Sequence, residues 1–199
     1  MSPVTIAQQL KNAEAKLMDI ILLADDSFIS KLICYSQKIQ NVNKKPSQWS
    51  HVVLYMDEST LIESTIDLKK DIKSGKRLIN GVQISDWKKY DNATKCLLLQ
   101  FTTLTDKDRE VLKQRAINIY DRGYTYPILG LLGSLLSYWV FRWKSNPLQS
   151  KKSLYCSAFV QEVYAPYVDF DPMRTARNTS PELISQYNSN NIRRSIIRI

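Results

Sequence analysis

An α+β domain, with a small antiparallel sheet packed against helices, is the fold class that the sequence predicts, on three observations. Short apolar or β-branched runs gather in the middle of the chain at residues 50–56, 61–65, 81–84 and 96–102, each bounded by Asp, Asn, Ser or Gly. Segments with helical spacing flank these runs on both sides. The 199 residues, 44% apolar and 24% charged, also supply enough material for one packed domain over residues 1–199, with no low-complexity stretch and no internal repeat.

Taken in order, Ser2-Pro3 reads as the cap and first-turn proline of a helix running to about Leu17. A strand is expected over 19–23. Asp25-Asp26-Ser27 then caps a second helix to about Ile39, whose apolar positions Phe28, Ile29, Leu32, Ile33, Tyr35 and Ile39 share one broad face. Residues 40–48 are polar loop. After the strand-rich middle, Thr105-Asp106-Lys107-Asp108 starts a third helix to about Asp121, with acids in its first turn. A helix from Cys156 to about Tyr164 and a short turn of helix at Ser180-Pro181-Glu182-Leu183-Ile184 follow, and Arg193-Arg194 belongs to a basic carboxyl-terminal tail.

Between Gly123 and Phe141 there is no charged residue, yet Pro127 leaves an apolar run shorter than the roughly 20 residues of a membrane span. The segment reads better as a buried helix, with a lipid-touching helix beside a site, at 127–143, as the alternative. The net charge of +9 is spread in small clusters at Lys44-Lys45, Lys69-Lys70, Lys88-Lys89 and Lys151-Lys152, and no aromatic-and-basic motif accompanies it. An ordinary basic surface is the expectation, with no specific nucleic-acid binding. The amino terminus lacks a secretory apolar region, and three widely separated cysteines, Cys34, Cys96 and Cys156, argue for free thiols in a reducing compartment. Cytoplasmic residence is expected.

The chain has a single histidine, His51, at the head of the run Ser50-His51-Val52-Val53-Leu54-Tyr55-Met56, so any histidine-dependent proton transfer must pass through it. Cys156 opens an amphipathic helix, where the macrodipole and unpaired amide hydrogens favour thiolate and lower a thiol pKa from its reference of about 8.5. Cys34, inside a helical pattern, and Cys96, at the start of an apolar strand, read instead as small buried hydrophobes. A thiolate nucleophile needs a base, which His51 supplies, and the base needs an orienting acceptor. Glu63 is a carboxylate within the apolar run Leu61-Ile62-Glu63-Ser64-Thr65, where a purely structural strand rarely places one. Zinc held by the cysteines and His51 is disfavoured, because no Cys-x-x-Cys knuckle or close ligand pair is present; no metal or cofactor is expected.

Strand alternation makes the pairing of His51 with Glu63 a matter of register. If Asp57-Glu58-Ser59 form a three-residue loop, Val53 lies opposite Glu63 and His51 opposite Thr65, so that His51 and Glu63 are same-face diagonal neighbours.

The succession Asp19-Ile20-Ile21-Leu22, Ser50-His51-Val52, Ile62-Glu63, Gly81-Val82, Tyr155-Cys156-Ser157 with Phe159-Val160, and Thr179-Ser180-Pro181-Glu182-Leu183 resembles the circularly permuted papain-like hydrolases. This is the YiiX/YebB-like branch of the NlpC-type superfamily, related to lecithin:retinol acyltransferase, and the resemblance covers about residues 17–186. It implies a permuted papain-like fold with the nucleophile at a helix N-terminus, in which Cys156 is nucleophile, His51 base and Glu63 third polar residue. Tyr155 falls on the position of a tyrosine that helps to hold the oxyanion, and the main-chain amides of Cys156 and Ser157 are the natural donors beside it. The chain departs from the family pattern where members often have Gly, at Met18 before the first strand and at Val53 after Ser-His-Val; Val53 could narrow the cleft beside His51.

The implied function is a cysteine-dependent hydrolase or acyltransferase acting on an amide or ester: peptide-like, an amino-acid amide or an acyl lipid, with a slight tilt toward an amphiphilic substrate. The contrasting expectation is a non-catalytic module that keeps the fold and binds a partner or a membrane surface.

Overall fold

The computed structural model describes residues 4–25, 28–39, 44–65, 81–126, 153–171 and 179–198. The apolar segment 127–143 and the lysine-rich link 66–80 lie outside the described residues. Six strands form one antiparallel sheet: β1 (Ile20–Ala24), β2 (His51–Tyr55), β3 (Thr60–Thr65), β4 (Gly81–Asp86), β5 (Lys95–Phe101) and β6 (Ile192–Arg198), in the order β4-β3-β2-β1-β5-β6. Among the described residues five α-helices accompany them: α1 (Ile6–Asn12), α2 (Phe28–Ser36), α3 (Asp106–Asp121), α4 (Cys156–Tyr164) and α5 (Pro181–Gln186). The architecture is therefore α+β.

The strands read as apolar runs because both faces of the sheet are covered. On one face Ile20, Leu22, Val52, Leu54, Ile62, Leu97 and Leu99 pack with Leu112 and Ala116 of α3 and Phe159, Val160 and Val163 of α4. On the other, Ile21, Leu23, Val53, Leu61 and Leu98 pack with Ile6 and Leu10 of α1 and with Trp87. Period-two alternation sends neighbouring residues to these two cores.

Local signals fix most boundaries. Thr105 caps α3 in a reciprocal capping box with Asp108, and Ser180 caps α5 with Pro181 in its first turn. The first helix is shorter than the sequence predicts. Thr5 is its cap and it ends at Asn12, because Glu14 and Met18 take positive φ of 57° and 65° and Asp19 accepts a hydrogen bond from the Lys16 amide at 2.8 Å, so the chain turns into β1. The basic tail is also corrected: residues 192–198 form an edge strand whose Ile197 is buried against Cys96 of β5. The core consequently extends beyond 17–186 at both ends, through α1 and β6.

Two buried polar links lock the helices to the sheet. Asp19, just before β1, is fully buried and receives Arg109 Nη1 of α3 at 2.6 Å and Gln100 Nε2 of β5 at 2.9 Å. Tyr164 at the end of α4 donates its hydroxyl to the Met18 carbonyl at 2.6 Å.

Gly81 begins β4 at φ 144°, where a Cβ would stand 2.3 Å from the Tyr124 carbonyl oxygen. That carbonyl accepts from the Val82 amide at 3.2 Å and so joins the segment after α3 to β4. Gly81→Ala is expected to destabilise the fold by on the order of 2–3 kcal/mol, since backbone strain and a main-chain clash coincide. Urea unfolding checks it, and an unchanged midpoint would contradict this close approach.

Candidate active site

His51 is the first residue of β2 and its backbone pairs with Leu23 of β1, so the imidazole stands on a strand held on its inner side by the sheet. The connection from β2 to β3 is an Asx-type turn in which Asp57 Oδ1 accepts from the Ser59 and Thr60 amides, both at 2.8 Å. It sets Tyr55 opposite Leu61 and Leu54 opposite Ile62. This is the register of the three-residue connection Asp57-Glu58-Ser59, and continuing it brings Val53 opposite Glu63. His51 Nε2 lies 2.6 Å from Glu63 Oε2.

The Glu63 carboxylate is completely buried and surrounded by donors. Its Oε1 accepts from Ser85 Oγ at 2.7 Å and from Lys89 Nζ at 2.8 Å, while Oε2 is shared between His51 and the Tyr90 hydroxyl. Burial alone would raise its pKa, but the hydrogen bond and charge of His51, then those of Lys89, hold it well below the usual carboxylate range. Glu63 is therefore an anion at any pH near neutrality.

The imidazole responds in the opposite sense. Burial pulls His51 toward its neutral form, but the charge and hydrogen bond of Cys156, followed by those of Glu63, outweigh it and push its pKa up to about 9. With Nε2 engaged by Glu63, Nδ1 is the ring nitrogen left to serve the thiol. Tyr90 stacks on the imidazole with ring centroids 5.8 Å apart and planes 23° apart.

Cys156 is the first residue of α4 and is 5% exposed. Tyr155 is the helix cap, and the first intrahelical bond runs from the Phe159 amide to the Tyr155 carbonyl at 2.9 Å. The amides of Cys156, Ser157 and Ala158 precede that bond, so they have no acceptor within the helix and form its positive end. Ser157 uses its hydroxyl to hold the Thr179 carbonyl at 2.6 Å, which ties the start of α4 to the cap of α5. The segment before Cys156 is anchored too, since Leu154 receives Ser64 Oγ on its carbonyl and donates its amide to Thr125 at 3.0 Å. Tyr126 is buried close enough to Cys156 that burial, then the sulfur's charge, raise its pKa.

The structure thus brings Cys156, His51 and Glu63 together, with Tyr155 and Ser157 at the helix start. The other two thiols stand apart from this arrangement. Burial, followed by the charges of Asp25 and Glu182, pushes the Cys34 thiol up to about 11, and burial pushes Cys96 to about 12. All three cysteines are free, and among the described residues no group of three His, Cys, Asp or Glu side chains forms a metal-binding cluster. Nor, among the described residues, is any helix long and apolar enough to cross a membrane.

Ser85, Lys89, Tyr90 and Tyr126 are site residues that the sequence reading missed. Lys88-Lys89 had the appearance of one more surface cluster. A signal was present in Asp86-Trp87 directly after a strand: Asp86 caps a 3-10 turn over Trp87–Tyr90 by accepting from the Lys88 amide at 2.8 Å, and that turn carries Lys89 and Tyr90 to Glu63.

The ion pair sets a pH window for stability. Glu63, with its pKa depressed, stabilises the fold above about pH 4 and loses that contribution as pH falls toward its folded value. His51, with its pKa raised, stabilises fully below about pH 6.5 and loses its contribution as pH rises through about 9. Unfolding free energy is expected to fall as pH rises from about 6.5 through about 9, and His51→Gln to flatten that fall. Urea titrations across that range test it; a flat profile in the wild type would contradict the buried pair.

A scan against models of known protein families finds no match to this chain, and a search of curated proteins finds none either.

Proposed function

We propose that this chain is a cysteine-dependent hydrolase or acyltransferase acting on an amide or ester bond. The observation that carries the reading is the sole imidazole held between a thiol at a helix start and a buried carboxylate. Such an order of groups suits nucleophilic catalysis, in which each group prepares the next.

In this mechanism the Cys156 thiol gives its proton to His51 and its sulfur attacks the substrate carbonyl carbon. The carbonyl electron pair moves to oxygen, beside the amides at the start of α4. As the tetrahedral adduct collapses, the bond to the leaving amine or alcohol breaks and His51 passes it the proton. A water, or another hydroxyl or amine, then gives a proton to His51 as it attacks the thioester; the acyl group departs and the thiol is restored. Glu63 holds Nε2–H throughout, aiming the ring and stabilising the imidazolium.

The resemblance to permuted papain-like hydrolases agrees with the chain order of histidine, carboxylate and cysteine. It also gains support at Met18, where members often carry Gly: the backbone there has φ 65°, the left-handed region that favours glycine. Within this proposal the substrate is peptide-like, an amino-acid amide or an acyl lipid, with a slight tilt toward an amphiphilic one.

Incubation with an activated acyl ester, followed by mass measurement of the Cys156 adduct, tests the function. Wild type is expected to acylate at Cys156, Cys156→Ala not at all, and His51→Ala at least about 10²-fold more slowly. Equal labelling of wild type and His51→Ala would overturn the proposal in favour of a non-catalytic module.

A further inference from the structure

We infer that Lys89 and Tyr90 are positioning residues of this site, which fix the orientation and the charge of His51 from the turn that follows β4. The inference rests on the function proposed above and adds to it two side chains outside the Cys-His-Glu set.

The turn is held firmly at both ends. Trp87 donates its amide to the Ser59 carbonyl at 3.2 Å and its indole Nε1 to the Asp57 carbonyl at 3.0 Å, so the turn is attached to the β2–β3 connection that also sets the His51 register. Beyond it, the Ala93 amide closes on the Tyr90 carbonyl at 2.9 Å. Lys89 and Tyr90 therefore reach Glu63 from a braced backbone.

Tyr90 contacts the base twice. Its ring covers one face of the imidazole, and its hydroxyl shares Glu63 Oε2 with His51 Nε2. An in-plane hydrogen bond alone leaves the imidazole able to rock about the Nε2···Oε2 line; a stacked ring on its face removes that freedom. Lys89 places a cation at 2.8 Å from the other oxygen. It offsets part of the carboxylate charge that His51 would otherwise feel, and it keeps Glu63 ionised whether or not His51 carries a proton.

Among the described residues, the charged and titratable groups that face His51 come from three elements: Glu63 on β3, Lys89 and Tyr90 on the turn, and Cys156 on α4, with Tyr126 near the sulfur. Among them Lys89 is the one fixed cation. Its removal should therefore raise the proton affinity of His51.

Because the chain has one histidine, its imidazole proton resonances report the site without an assignment problem. Relative to wild type, Lys89→Met is expected to move the NMR titration midpoint of His51 upward by about one unit, and Lys89→Arg to restore it. Tyr90→Leu is expected to remove the ring-current displacement of the imidazole protons and to slow Cys156 acylation about 10-fold or more. Tyr90→Phe should keep that displacement and most of the rate. An unmoved or lowered midpoint in Lys89→Met, or unmoved imidazole resonances in Tyr90→Leu, would overturn the inference; circular dichroism confirms that each variant is folded. Should the wild type take no acyl label, the proposed function fails, while the resonances still decide whether Lys89 and Tyr90 govern His51.

Discussion

Glu63→Gln is expected to slow Cys156 acylation by about 10³–10⁴-fold per folded molecule, the scale on which loss of an orienting carboxylate acts in triad enzymes. The side chain keeps its size, but it cannot remain a four-fold acceptor. Ser85, Lys89, Tyr90 and His51 all direct donors at the two carboxylate oxygens, and the amide would turn an NH2 group toward one of those pairs. His51 would lose its anion and with it part of the raised proton affinity, so its NMR midpoint should fall toward the ordinary value of about 6.5. Lys89, 18% exposed at its side chain, can swing outward and limit the stability loss. Acylation measured on the folded fraction, together with the histidine titration, tests both effects; wild-type acylation with an unchanged midpoint would remove Glu63 from the mechanism.

Arg109→Met is expected to destabilise the fold by about 3–5 kcal/mol, the usual consequence of stranding one member of a buried ion pair. Arg109 reaches Asp19 Oδ1 at 2.6 Å, the Leu17 carbonyl at 2.6 Å and the Phe101 carbonyl at 3.3 Å, so it joins α3 to the entry of β1 and the exit of β5. Burial raises the pKa of Asp19 even though the Lys16 amide and Arg109 lower it, which marks a pair whose desolvation is large. The double variant Asp19→Asn/Arg109→Met is therefore expected to recover a substantial part of the loss, because neither charge is left alone. Urea unfolding of the three variants tests this. A single variant as stable as wild type would show that the pair neither positions nor stabilises the sheet.

Much of this arrangement was legible from residues. Strands β1 to β5 could be found because their apolar runs answer to two cores, and α3 and α5 because Thr105 and Ser180 are strong caps. Strand parity pairs His51 with Glu63 once the connection Asp57-Glu58-Ser59 has three residues, and their 2.6 Å contact follows from a turn that Asp57 organises. Three features resisted. The sequence Ile192-Arg193-Arg194-Ser195-Ile196-Ile197-Arg198 hides an edge strand, since Ile197 lies in a core while Ile196 is 68% exposed. The end of α1 depends on positive φ at Glu14 and Met18, which neither residue type advertises. The roles of Ser85, Lys89 and Tyr90 arise from where β4 pairs with β3, and a lysine beside a lysine gives no hint of a buried partner.

The position of β6 has a consequence for how the chain reaches its native state. Phe101 must find Ile192 and Lys95 must find Arg198, so this ladder closes across an intervening stretch that includes α3 and α4. Loop-closure entropy makes such a pairing a late event. Until it occurs, the apolar run Cys96-Leu97-Leu98-Leu99 offers an unpaired edge to any other chain nearby.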